Sequence, residues 1–185
     1  MTRFEFLYVL ISAVLALALA NMCVSWGELL QRRSTVRFYW VHVAWTVLIL
    51  FIVMQNWWGF YQYHTIDDWS FFAMAALIGN VVLLALTVSV ITPSRKHEGT
   101  IDLQEFFYEI SPVFFSLSAL LMFFLATANS VIAAHPLLGL ENVIRAIAIS
   151  VAMLGASTRS VMVHSILVGS GFVLLTLFTL MQVTA

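Results

Sequence analysis

The sequence predicts an all-α membrane protein: a single domain over residues 1–185, built as a bundle of six transmembrane helices. Two observations carry the prediction. Hydrophobic residues make up 62% of the chain and charged residues 9%, with a mean hydropathy of +1.00, whereas a soluble domain carries about a quarter charged residues. A water-soluble chain of this length could not hide so much apolar surface, so its solvent is lipid. The second observation is that six stretches reach the roughly 20 apolar residues a bilayer core requires. They cover residues 4–26, 38–58, 69–92, 108–130, 137–157 and 161–182. Open strands are excluded because lipid leaves free backbone groups unsatisfied. A small barrel would show alternating segments of about ten residues, and these runs are continuous.

The first span contains Ala18 and Ala20, the A-x-A spacing of a signal-peptide cleavage site. It is read as a retained helix, because the apolar run continues to Trp26 and cleavage would leave Arg32–Arg37 on the wrong side. The second span runs into QNWWGFYQYHTIDDW (residues 55–69), and the third starts at the end of that stretch. The longest polar connection lies between about Thr92 and Phe107 and leaves no room for a soluble domain. Within it Asp102 and Glu105 have capping-box spacing, which predicts a helix starting near Leu103. Phe106, Phe107 and Ile110 are then expected along the membrane interface, and Pro112 is expected to bend the fourth span. Pro136 suits the first turn of the fifth. LALAN (17–21) and LATAN (125–129) are too short a match to make an internal repeat.

The connections sort by charge. Arg32, Arg33, Arg37, Arg95, Lys96 and Arg159 fall on one side of the membrane, and only Arg3 on the other. The positive-inside rule then places both termini on the non-cytoplasmic side. A net charge of -1 leaves no footprint for nucleic acid. The lone Cys23 has no partner for an intrachain disulfide.

The segment ELLQRRSTVRFYWVH after the first span, with the Trp57–Trp58 pair at the end of the second, resembles a family of small bacterial multi-pass membrane proteins. The likeness covers about the first third of the chain. It implies this architecture and a bacterial plasma (inner) membrane, and it carries no activity with it.

Ionisable groups inside spans are costly and are functional candidates by default. On the inner side His42 lies five residues after Arg37 and His164 five after Arg159, which places both imidazoles roughly 7–8 Å past those arginines. Glu28 and Glu109 enter the membrane near this level, with His97 on the adjoining loop. This set fits a divalent metal, a haem held by His42 and His164, a proton-sensing pair, or a structural polar cluster. No HExxH or CxxC spacing supports the metal.

On the outer side Glu141 and Arg145 are spaced i,i+4 and pair within one helix. They share that surface with His64, Asp67, Asp68, His135, Asn129, Gln55 and Asn56, which makes a candidate mouth for ions or polar solutes. Trp57, Trp58, Tyr61, Tyr63 and Trp69 have a sufficient role as interfacial anchors. Asn80 is the one strong polar group near the centre of a span. A wide charged pore through one protomer is therefore not expected. A pore between subunits with a hydrophobic gate, or no permeation path, remains.

Small residues four apart predict close helix approaches at Ala75 and Gly79, at Ala148 and Ala152, and at Ser165 and Gly169, with Gly171 beyond.

Three functions follow from the sequence. The first is a homo-oligomeric, channel-like or small-solute permeation protein. The second is a metal- or haem-binding membrane protein using His42 and His164. The third is a structural or partner-binding subunit. No nucleophile elbow or triad spacing marks an enzyme.

Overall fold

A computed structural model describes residues 3–66, 69–93, 100–132 and 139–184. It is a six-helix bundle: α1 (Arg3–Gln31), α2 (Trp40–Gly59), α3 (Phe71–Ile91), α4 (Leu103–Ile132), α5 (Leu140–Ser157) and α6 (Val161–Thr184). All six are long and apolar enough to cross a membrane, and the protein is an integral membrane protein. The expected spans are each recovered. α1 and α4, at 29 and 30 residues, are about 44 Å long and outreach a hydrocarbon core of about 30 Å. α2 is continued by a 3-10 segment, Phe60–Thr65.

Local chemistry sets the helix starts. Asp102 Oδ1 accepts from the backbone N–H of Gln104 (2.9 Å) and Glu105 (3.2 Å), so the expected cap forms and α4 begins at Leu103. Ser70 caps α3 by accepting from the Ala73 N–H at 3.1 Å. α4 continues through Pro112. Proline supplies no N–H to the Tyr108 carbonyl four residues back, and the Ser111 hydroxyl donates to that carbonyl instead, at 3.3 Å. Hydroxyls elsewhere in the spans bond their own helix in the same way, as Thr46 does to the His42 carbonyl at 2.8 Å.

The helices close a ring in the order α1–α3–α4–α5–α6–α2, with α2 also touching α3 and α4. Val36–Arg37 (β1) and Ile101–Asp102 (β2) pair as a two-residue parallel ribbon at the start of α2 and of α4. Arg32, Arg33, Arg37 and Arg159 all lie at this ribbon end, and the 3-10 segment lies at the opposite end.

Close approaches occur at two glycines. A Cβ on Gly155 would lie 2.8 Å from the Phe115 ring, and one on Gly171 would lie 2.7 Å from Leu48. Gly79 faces Phe124 at 3.3 Å, in keeping with the expected small-residue contact between α3 and α4. Gly169 meets nothing within 4 Å, so α6 makes its close contact through Gly171 rather than through the Ser165–Gly169 pair. Phe107 also departs from expectation. It is fully buried in the core instead of lying along the interface.

Candidate functional site

At the ribbon end the two histidines share a neighbour, the Phe107 ring of α4. His42 and His164 are both fully buried. Nε2 of His42 bonds the Ile91 carbonyl at 2.9 Å, and Nε2 of His164 bonds the Thr158 carbonyl at 3.0 Å. A carbonyl only accepts, so each Nε2 carries the proton and Nδ1 the lone pair. Both rings pack edge-on against Phe107, with centroids at 6.4 and 5.1 Å, and no ring contact joins them to each other. Phe106 and Trp26 cover His42, while Tyr108 and Phe115 cover His164.

The carboxylates expected beside them do not join. Glu109 is exposed on α4, and Glu28 is half-buried near the end of α1. Among the described residues no three His, Cys, Asp or Glu side chains form a group able to hold a metal ion. His97 lies outside the described residues. Facing axial ligation of a haem requires both imidazoles to offer a nitrogen to one iron. Here both Nε2–H groups donate to carbonyls on different segments, which leaves each buried Nδ1 lone pair without a partner.

The opposite end holds the more active chemistry. Arg145, about one and a half turns inside α5, is 4% exposed. Its guanidinium donates to Asn142 Oδ1 at 2.8 Å and to Glu141 Oε2 at 3.1 Å, and it lies over the Phe178 ring of α6 at 5.0 Å. Asn142 in turn donates to Ser130 Oγ of α4 at 3.3 Å. The Glu141–Arg145 pair expected from the spacing is present. Asn142 and Phe178 were missed. Asn142 sits three residues before Arg145, which was a readable signal, and Phe178 is on another helix and gave none.

Arg145 lines a cavity of about 150 Å³ enclosed mainly by α2, α4, α5 and α6. Trp45, Phe114 and Phe115 form its floor toward the ribbon end, with rings 5.0 Å (Trp45–Phe115) and 4.9 Å (Phe114–Phe115) apart. Gln55, Asn56, Gln62, Tyr63 and Gln182 line it toward the 3-10 segment. From Trp45 to Gln55 is ten residues of helix, or roughly 15 Å. Three lining residues carry buried polar atoms with no hydrogen-bond partner: Trp45 Nε1, Asn56 Oδ1 and Arg145 Nε. Asn56 also donates to Asn80 Oδ1 at 3.4 Å, which gives the fully buried mid-span Asn80 its partner.

His64 is exposed, bonds the Tyr61 carbonyl at 2.7 Å and stacks on the Tyr61 ring at 4.4 Å. Asp67, Asp68 and His135, and the side chain of Asn129, lie outside the described residues. Trp58 and Tyr61 are exposed. Trp57 is half-exposed and donates to Ser12 Oγ at 3.3 Å. Trp69 is different. It is buried against Phe4 and Tyr63 and donates to the Ile66 carbonyl at 2.8 Å, so it fastens the loop to α1.

Comparison with protein-family models, with curated proteins and with solved structures finds no match to this chain.

Proposed function

We propose that the protein binds a small solute in the Arg145 cavity, as the resting state of a small-solute permeation protein. The observation that carries this reading is the set of three unpartnered buried polar atoms around a chamber whose lining is mostly apolar. Each such group costs about 1–3 kcal/mol while unsatisfied, which favours an occupant that offers hydrogen-bond partners. A dry cavity of about 150 Å³ holds a benzene-sized body. Two of the three atoms are N–H donors, so the solute carries an acceptor group, and benzoate has the right size and chemistry. Glu141 is about a third exposed and can turn toward water as the solute carboxylate takes its place on the guanidinium.

The cavity is one-sided. Trp45, Phe114 and Phe115 close it toward the ribbon end, and passage requires those rings to part, as in an apolar gate. By the charge rule the ribbon end is cytoplasmic and both termini lie outside. Gly169, open on the outer face of α6 beside half-buried Ser165, supports a homo-oligomer. His42 and His164 each hold a backbone carbonyl through Nε2, which supports a structural role for both.

The test is equilibrium binding of radiolabelled benzoate to protein in nanodiscs. Saturable binding is expected. It should be abolished by Ala148→Leu, which fills the cavity, and weakened about tenfold (about 1.4 kcal/mol) by Arg145→Lys. Uptake of benzenesulfonate into proteoliposomes then tests passage. Absence of saturable benzoate binding to the unmodified protein overturns the reading.

A further inference from the structure

The cavity has a second neighbour. A groove of about 630 Å³ runs along the lipid-facing surface, with α2 as its floor and α1 and α6 as its walls. Gln55, Leu175 and Gln182 line both the groove and the cavity, so a single layer of side chains separates the two. That layer is fastened by one hydrogen bond, from Gln55 Nε2 on α2 to Thr179 Oγ1 on α6, at 3.0 Å. Thr179 is the residue after Phe178, whose ring carries the Arg145 guanidinium. Ser12 and Thr179 add hydroxyls, and Gln55 and Gln182 amides, to a trough whose lining is mostly apolar.

We propose that the Gln55–Thr179 contact is a lateral gate, and that the ligand arriving through it is a single-chain anionic amphiphile from the bilayer. This rests on the reading of the Arg145 cavity as a binding site, and it names the ligand class of that site. The cavity holds only a benzene-sized body, so a long chain cannot be swallowed whole. With the gate open, the acceptor head reaches Arg145 while the chain lies along the groove. A buried guanidinium with an unpartnered Nε recognises the anionic head. The apolar groove walls supply the area for the chain, at roughly 25 cal/mol per Å². A wholly polar solute gains nothing from the groove, and a neutral hydrocarbon gains nothing from Arg145.

The experiment uses protein in nanodiscs and a 16-carbon fatty acid with a mid-chain diazirine. Irradiation should label groove residues such as Phe51 and Met54. Saturating benzoate should lower that labelling about tenfold, because the two ligands compete for Arg145. An ordinary lipid-facing surface would not respond to benzoate. Thr179→Phe, which narrows the gap from a residue that lines only the groove, should lose labelling and keep benzoate. Thr179→Val, which removes the acceptor of the gate bond, should label at least as strongly as the wild type and also keep benzoate. Labelling indifferent to benzoate and to both gate variants overturns the gate and leaves the cavity reading standing. Failure of benzoate to bind the unmodified protein removes both.

Discussion

Gly155→Ala tests the packing that shapes the cavity floor. The added Cβ would sit 2.8–2.9 Å from three ring carbons of Phe115, against an optimum of about 3.5–4.0 Å. The ring must therefore retreat by about 0.7 Å or more. It has little freedom to do so, because Trp45, Phe114, Phe107 and His164 all pack against it within 6.3 Å between centroids. Overpacking of this kind costs about 1–3 kcal/mol. Alanine recovers about 1 kcal/mol of helix propensity over glycine, which leaves a net loss of about 1 kcal/mol. Phe115→Leu removes the ring and with it the clash, so the double variant should be more stable than the sum of the single losses predicts. A coupling of about 1–2 kcal/mol is expected. The assay is reversible unfolding in mixed micelles for the wild type, both single variants and the double variant. Additivity within about 0.5 kcal/mol, or a more stable Gly155→Ala protein, would refute the close approach of α5 to α4.

Four further outcomes follow from single contacts. Ser111→Ala strips the Tyr108 carbonyl of its replacement donor at Pro112 and should cost about 1 kcal/mol in the same unfolding assay. Asp102→Ala should lose about 1 kcal/mol through its cap, while Asp102→Asn should be nearly neutral, since the Arg37 pair is long (3.7 Å) and its arginine well exposed; a larger loss in the asparagine variant contradicts this. His42→Leu leaves the buried Ile91 carbonyl without its donor and should cost about 1–3 kcal/mol, read from the unfolding midpoint. Gly169→Leu meets open space, so it should leave protomer unfolding unchanged, and if the proposed homo-oligomer forms it should shift that assembly toward monomer in analytical ultracentrifugation; a protomer destabilised by more than about 1 kcal/mol would place Gly169 inside the fold.

Helix existence was readable because lipid demands long apolar runs, and the Asp102 cap and the Glu141–Arg145 pair were readable because they are local. Which side of each helix faces a neighbour was not readable. In a soluble helix the polar face betrays the buried one, but in α6 the lipid-facing residues Val173 and Leu177 are as apolar as the core residues Leu167 and Val168. For that reason sequence spacing chose Gly169 over Gly171, and sent Glu109 toward histidines it does not meet. Depth was predictable from counting residues, which put His42 and His164 in the same aromatic layer. Their common partner Phe107 comes from a third helix and could not be counted. Trp69 shows the converse error, because a tryptophan at interfacial depth was expected to point at headgroups and instead closes a loop.

The parallel ribbon has a mechanical consequence for the cavity. Val36↔Ile101 and Arg37↔Asp102 bind the roots of α2 and α4 together, and farther along both helices line the chamber. Held together at their roots, they behave like the arms of a pair of tongs whose rivet is the four-residue ribbon. Any swelling of the chamber is then angular, smallest at the rings of Trp45 and Phe115 and largest beside Gln55 and Tyr63. A guest would be gripped hardest at its deep end, and the arms would spread first where the polar groups wait.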